Sequence, residues 1–281
     1  MLKQLYGLIG YPIGHSLSPL MHNDAFENLG IDAHYEAIQI EPDSFKVEVE
    51  KLKKQQIKGF NVTIPYKVDI MDLLDEVDPL ARAIGAVNTV VNQNGRYVGY
   101  NTDGDGYVAS LLQHVGHTLK GKAVAIIGAG GAAKAIFYTL ASHKDSPSSF
   151  YICNRTVEKA QRLIDQLPFE ANASAITLDE AEKEVGTFDV VINTTSVGMH
   201  PHVEDVPIDI QHIRPETIVS DIIYNPLETK LLKEAKQKQA YCHNGVGMFV
   251  LQGALAFEKW TGIVPDQKKM EQIVLKKLTE K

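Results

Sequence analysis

Residues 122–142 read KAVAIIGAGGAAKAIFYTLAS, and no other stretch restricts the fold as strongly. AVAIIG is a short apolar run of strand length. It runs directly into Gly128-Ala-Gly-Gly-Ala-Ala133, a G-x-G-x-x-A turn, and the residues beyond it carry a helix over 131–142. A glycine pattern alone is weak, and the strand before and helix after give it physical meaning. Gly128 permits the tight turn, Gly130 lets backbone approach a pyrophosphate with no Cβ in the way, and Ala133 keeps the helix close to its strand. The helix N-terminus then offers free N–H groups and its positive dipole end to phosphates. This stretch predicts a dinucleotide site on a doubly wound sheet.

The rest of that half agrees. FYICN, DVVINTT (189–195) and IVSDII (218–223) are continuous apolar runs, and VEKAQRLIDQL is a helix between the first two. Runs of this kind fit parallel strands covered on both faces. About 20 residues past the glycine turn, an NAD site places a carboxylate on the ribose 2′-OH. Here the residues are Asn154-Arg155-Thr156, with no acid to repel a phosphate. Arg155 can stack on adenine and pair with a 2′-phosphate, Thr156 adds a hydroxyl, and Lys159 is a second cation one turn on. The set predicts NADP rather than NAD, although Lys159 also reads as an ordinary solvated charge.

The first third reads βαβαβα. A strand at 5–9 stops at Gly10 and Pro12. Ser18-Pro19 reads as an N-cap followed by proline at the first helical position, with the helix ending at Gly30. A strand at 33–40, a helix opened by Pro42, a strand at 59–64 and a helix started by Pro65 follow. AVNTVVN and RYVGYN then flank Asn94-Gly95, a strong hairpin signal. A helix near 105–115 links to the second pattern, and the chain is helical after about 245. The expected fold is α/β with two domains and a cleft between them. Residues 1–103 plus 245–281 form an N-terminal mixed-sheet substrate domain, and 104–244 a Rossmann-type doubly wound NADP domain.

Composition excludes several roles. The chain has 281 residues and a net charge of −7, whereas proteins that track nucleic-acid backbone carry a positive excess. No apolar run approaches the roughly 20 residues of a membrane span. The N-terminal apolar stretch is too short for a signal peptide, so a cytoplasmic location is the default expectation. The two cysteines, Cys153 and Cys242, allow no CxxC site, and Cys153 reads as a small buried hydrophobe. The histidines show no metal-ligand spacing, and no metal is expected.

Several segments are similar to the shikimate dehydrogenase family. They are GYPIGHSLSP (10–19), NVTIPYK (61–67), GAVNT (85–89), NTD (101–103), GAGGAA (128–133), NRT (154–156), NTTSVGM (193–199), DIIYNP (221–226) and GMFVLQ (247–252), in the family's order along nearly the whole chain. The resemblance implies NADP-dependent, reversible reduction of 3-dehydroshikimate to shikimate, a step toward chorismate and the aromatic amino acids. It implies that Ser16 and Ser18 hold the substrate carboxylate with Tyr224 nearby. Thr63, Lys67, Asn88, Asp103 and Gln252 match positions that hold the ring hydroxyls and ketone. Lys67 and Asp103 match the catalytic pair. A lysine ammonium aimed at the carbonyl oxygen stabilises the charge left by hydride transfer and can donate the proton. Gly128, Ala129, Gly130, Gly131, Ala132, Asn154, Arg155, Thr156, Lys159, Thr194, Met199, Ile222 and Gly245 match the cofactor positions, with Met199 beside the nicotinamide. Lys159 stands where such relatives commonly carry arginine. His15 receives no chemistry and is expected to make a structural hydrogen bond. The resemblance implies a small-molecule substrate, the charge and the lack of a long apolar run predict no nucleic-acid or membrane partner, and a monomer or homodimer is expected. Two other readings remain at this stage: a quinate/shikimate dehydrogenase using NAD, and a non-catalytic ligand sensor on the same scaffold.

Overall fold

The computed structural model describes residues 3–14, 16–116 and 118–280. The chain divides into two compact units, one of Met1–Thr102 with Val250–Lys281 and one of Asp103–Phe249.

The first unit is built on a mixed six-stranded sheet. Its strands are β1 (Gln4–Gly10), β2 (Ala33–Gln39), β3 (Gly59–Val62), β4 (Glu76–Val77), β5 (Thr89–Gln93) and β6 (Arg96–Tyr100), in the order β2-β1-β3-β5-β6-β4. β1 runs parallel to both β2 and β3, so the ends of β1 and β3 share one edge of the sheet. Three helices accompany it: α1 (Ser18–Asn28), α2 (Phe45–Lys54) and α3 (Pro79–Ile84). α2 buries Phe45, Val49 and Leu52, a helical spacing that lays one stripe on the core with Ile9, Phe60 and Val90. A second cluster on Tyr6, Leu8, Phe26, Tyr35 and Phe257 completes the interior.

Local chemistry explains the hairpin and corrects two expectations. Asn94 and Gly95 both have positive φ, 56° and 93°, as a type I′ turn between β5 and β6 requires. Ser18 is not the N-cap of α1. That position belongs to Leu17, no side chain caps the helix, and Ser18 is the first helical residue. The helix expected from Pro65 is replaced by turns and a short 3-10 segment, Asp69–Leu73. The Lys67 carbonyl accepts from the Val87 N–H at 2.8 Å, so it is spent on the neighbouring segment rather than on a helical turn.

The second unit holds six parallel strands: β7 (Ala123–Ile127), β8 (Ser149–Cys153), β9 (Ala173–Ile176), β10 (Val190–Asn193), β11 (Ile218–Asp221) and β12 (Tyr241–His243). Their order is β12-β11-β10-β7-β8-β9, so the chain steps outward from β7, then returns to β10 and steps outward the other way. This is the doubly wound arrangement, with its switch point between β7 and β10. The helices are α4 (Thr102–His114), α5 (Gly131–Ser142), α6 (Val157–Asp165), α7 (Leu178–Glu184) and α8 (Lys230–Gln237).

Two further helices, α9 (Val246–Thr261) and α10 (Gln267–Thr279), complete the chain. α9 belongs to both units. Its later part is fastened into the first sheet, where Trp260 Nε1 donates to the Val90 carbonyl at 2.9 Å. Its start stays with the second unit, in contrast to the expected boundary at 244/245. The Gly245 N–H donates to Ile223 O at 3.0 Å, and a Cβ at 245 would lie 2.0 Å from Ile222 O. Among the described residues, no helix is long and apolar enough to cross a membrane, and no group of three His, Cys, Asp or Glu could hold a metal ion.

Candidate active site

In the first unit the polar residues gather where β1, β3 and the start of β5 meet. The Thr63 N–H donates to Ile9 O at 2.9 Å and the Val62 N–H to Asn88 O at 2.8 Å, which brings the segments after β1 and β3 beside Asn88. Gly10 makes this approach possible, because a Cβ there would lie 2.4 Å from the Thr63 methyl. Ser16 and Ser18 are neighbours: the Ser16 hydroxyl donates to Ser18 Oγ at 3.2 Å, and the Ser18 N–H donates to Ser16 Oγ at 3.2 Å. Ser18 caps nothing, and its hydroxyl lies at the first turn of α1 beside that of Ser16.

Asn88 is 2% exposed and rigidly held. Its Oδ1 accepts from the Thr102 N–H at 2.7 Å, and its Nδ2 donates to Thr102 Oγ1 at 3.0 Å and to Gln252 Oε1 at 3.5 Å. Asn88 and Gln252, 164 positions apart, therefore present their amides together. Lys67 is half-buried on the segment after β3 and Asp103 is half-buried in the first turn of α4.

Sequence reasoning missed the support behind these groups. The Tyr35 hydroxyl donates to Asn61 Oδ1 at 2.8 Å and is also hydrogen-bonded to Ser18. Asn61 Nδ2 donates to Asn88 O and to Thr89 Oγ1, each at 3.1 Å, and Thr89 Oγ1 donates to Asn88 Oδ1 at 3.1 Å. A buried chain of hydrogen bonds thus runs from the serine pair to Asn88, and such chains rigidify when every member is satisfied. Asn61 and Thr89 lay within segments already singled out, whereas Tyr35 carried no local signal beyond a buried aromatic on a strand.

In the second unit the glycine turn lies at the switch point. Gly128 has φ of 108°, and its N–H donates to Cys153 O at 2.8 Å. A Cβ at 128 would lie 2.7 Å from Thr194 Oγ1, which itself donates to Ile127 O at 2.6 Å. Thr194 thus closes one side of the turn. At Gly130 and Gly131 an added Cβ would meet nothing within 4 Å, so the backbone faces open space above the start of α5. That open cradle fits a pyrophosphate, with Ala129 and Ala132 as its neighbours.

At the end of β8, Asn154 Nδ2 donates to Thr156 O at 2.8 Å and shapes the turn into α6. Thr156 is the N-cap residue of α6 but makes no capping bond, and Arg155, Thr156 and Lys159 are all exposed. No carboxylate stands at this strand end, so the residues fit a 2′-phosphate.

The loops after β10 and β11 are organised by buried Asp221. It accepts from Asn193 Nδ2 at 3.1 Å, the Ile223 N–H at 3.0 Å and the Thr229 hydroxyl at 2.8 Å, while burial pushes its pKa up against those bonds. Asn193 in turn accepts from the Thr195 N–H at 3.0 Å. These bonds set the loops carrying Met199, which is 45% exposed, and half-buried Ile222. Tyr224 packs on Phe249 with ring centroids 5.0 Å apart, and burial raises its pKa. Cys153 is buried, its pKa pushed up to about 12 by desolvation, as an inert packed thiol. The hydrogen bond expected of His15 lies outside the described residues.

An open glycine cradle at the switch point of a doubly wound sheet, with a second α/β unit carrying a polar cluster at its sheet edge, defines a two-domain nicotinamide-dinucleotide dehydrogenase. Within that class, the chain belongs to the shikimate dehydrogenase family. Profiles described as "Shikimate dehydrogenase substrate binding domain", "Shikimate / quinate 5-dehydrogenase" and "Shikimate 5'-dehydrogenase C-terminal domain" match residues 8–90, 110–219 and 245–275. The shikimate dehydrogenase (NADP(+)) of Geobacillus sp. (strain WCH70) is 53% identical over 277 residues, 99% of each chain. A shikimate dehydrogenase crystallised with NADP+ superposes with a TM-score of 0.91 at 42% identity, covering 99% of this chain and 96% of that one. The Thermus thermophilus enzyme in complex with NADP(H) and shikimate gives 0.86 at 34% identity, covering 98% of this chain and 99% of that one.

Proposed function

We propose that the chain catalyses the reversible NADP-dependent reduction of 3-dehydroshikimate to shikimate in the shikimate pathway. The observation that carries this reading is the pairing, in one chain, of the Ser16–Ser18 and Asn88–Gln252 sets with a dinucleotide cradle whose β8 end bears Arg155 and no acid. The cofactor, when bound, supplies the hydride for reduction or accepts it in the reverse direction. The chain's own residues do the rest. Gly128, Ala129, Gly130, Gly131 and Ala132 would cradle the pyrophosphate, and Asn154, Arg155, Thr156 and Lys159 would hold the adenosine end. Thr194, Met199, Ile222 and Gly245 would line the nicotinamide end.

Ser16 and Ser18 donate hydroxyl hydrogens to the substrate carboxylate at the positive end of α1, and Tyr224 is assigned to the same carboxylate. Thr63, Asn88 and Gln252 orient the ring hydroxyls, because fixed donors and acceptors suit a polyol. Lys67 stabilises the oxygen that becomes an alkoxide and can donate its proton, with Asp103 as the second member of the catalytic pair. The same reading makes the enzyme cytoplasmic, acting as a monomer or homodimer.

The test follows nicotinamide absorbance while the purified protein oxidises shikimate or quinate with NADP+ or NAD+. Fast turnover confined to shikimate with NADP+ is the expected result. Comparable rates with quinate and NAD+ would shift the assignment to a broader quinate/shikimate enzyme. Binding of both ligands without turnover would replace catalysis with ligand sensing.

A further inference from the structure

Lys134 occupies a costly position for a cation. It lies in the first turn of α5, where its N–H donates to Gly130 O at 3.0 Å. A positive side chain there opposes the helix dipole. That turn contains no acidic residue, and Lys134 enters no ion pair or side-chain hydrogen bond among the described residues. Its ammonium lies 5.3 Å from the centroid of the Tyr138 ring, and partial burial pushes its pKa down. An anion brought to this turn would offset the opposed dipole, the lost hydration and the missing counter-charge together.

The packing of α5 on α6 identifies the anion. The two right-handed crossovers from β7 to β8 and from β8 to β9 lay α5 and α6 side by side and parallel on one face of the sheet. The Tyr138 hydroxyl donates to Leu163 O at 3.0 Å and sets their register. One turn toward the N-terminus of each helix stand Lys134 and Lys159, and Arg155 lies just before α6. The acidic residue of that first turn, Glu158, makes no ion pair with any of them among the described residues. Arg155 and Lys159 stand at the end of β8, where the substituent on the adenosine 2′ position belongs, and the shared register puts Lys134 on the α5 turn that faces the first turn of α6.

We infer that Lys134 is a third cation for the 2′-phosphate of NADP(H), acting with Arg155 and Lys159 to determine NADP over NAD. The inference rests on the dinucleotide site proposed above. A lysine reaches phosphate as a point charge on a flexible stem, so the ammonium swings from the Tyr138 face to the ligand.

Calorimetric titration of wild type, Lys134→Gln and Lys134→Arg with NADP+, NAD+, adenosine 2′-monophosphate and adenosine 5′-monophosphate tests it. In Lys134→Gln, NADP+ and the 2′-monophosphate should bind about tenfold more weakly, with NAD+ and the 5′-monophosphate unchanged. Lys134→Arg should keep the wild-type preference. The ligand-free Lys134→Gln protein should melt no lower than wild type, since the charge removed there opposes the dipole. Unchanged NADP+ affinity, or an equal loss for NAD+, overturns the inference, and so does a Lys134→Gln protein that melts well below wild type. A wild-type protein that fails to prefer the 2′-monophosphate would instead remove the underlying assignment of the β8 end.

Discussion

Ser18 and His22 sit one turn apart on α1 and are both buried, yet their surroundings differ completely. Ser18 joins a polar chain through Ser16 and Tyr35, whereas both ring nitrogens of His22 lack a hydrogen-bond partner among the described residues. Its ring stacks on Tyr35 at 4.5 Å and lies 5.2 Å from Trp260. Burial lowers the His22 pKa to about 3, and burial followed by the charge of His114 lowers that of His243 to about 4. Below about pH 6.5 the unfolded chain binds protons at both positions while the folded chain does not, so stability falls as pH drops toward those values. Each histidine contributes a slope of about 1.4 kcal/mol per pH unit within its window. The denaturant midpoint should therefore fall on acidification from neutrality to about pH 5, and His22→Leu should shrink that fall. An unchanged slope in the variant would show that His22 is not a neutral buried group. At the catalytic position, Lys67→Ala should lower kcat by about two to four orders of magnitude with a smaller change in KM. Turnover near wild type would remove Lys67 from the chemistry.

At the scale of elements, the glycine turn makes the sharpest contrast. Gly128 needs φ of 108° and has Thr194 Oγ1 in the way of any Cβ, whereas Gly130 has φ of −92° and open space around it. Gly128→Ala should cost both folding stability and cofactor affinity. Gly130→Ala should melt like wild type and yet bind NADP+ at least about tenfold more weakly, because its methyl group occupies phosphate space. Paired melting and titration curves check this, and equal behaviour of the two variants would contradict it. These requirements are local, which is why the turn was legible in sequence, as was the Asn94-Gly95 hairpin. Elements without such signals were not. β9 reads ASAI, half-exposed and too weakly apolar to register, and β4 is a two-residue edge strand. α7 did carry a usable mark, the Thr177–Glu180 capping box. The misplaced cap at Ser18 and the missing helix after Pro65 share one cause. Both readings assumed that backbone groups are satisfied locally, and the structure satisfies them, or leaves them for a ligand, elsewhere.

For the whole molecule, the two units imply a division of labour that hydrogen exchange can read. Shikimate alone should slow exchange in segments 10–19, 61–67 and 85–89, and NADP+ alone in 127–134, 153–160 and 193–199. Protection by NADP+ concentrated in 10–19 would contradict the assignment of the cofactor to the second unit. The sequence by itself determined the α/β class and the dinucleotide turn, because each rests on short-range constraints of φ, period and residue type, and its motifs carried the family resemblance and the expectation of NADP. It did not determine how α9 is shared between units, since Trp260 answers to Val90 on β5 of the first unit and Gly245 to Ile223 in the loop after β11 of the second. Nor did it show Tyr35 and Asn61 standing behind Ser18 and Asn88, or the Tyr138–Leu163 bond that sets α5 against α6. Those contacts join residues far apart in the chain. They are set by strand order and helix register, which a hydrophobic pattern leaves open because many topologies bury the same residues.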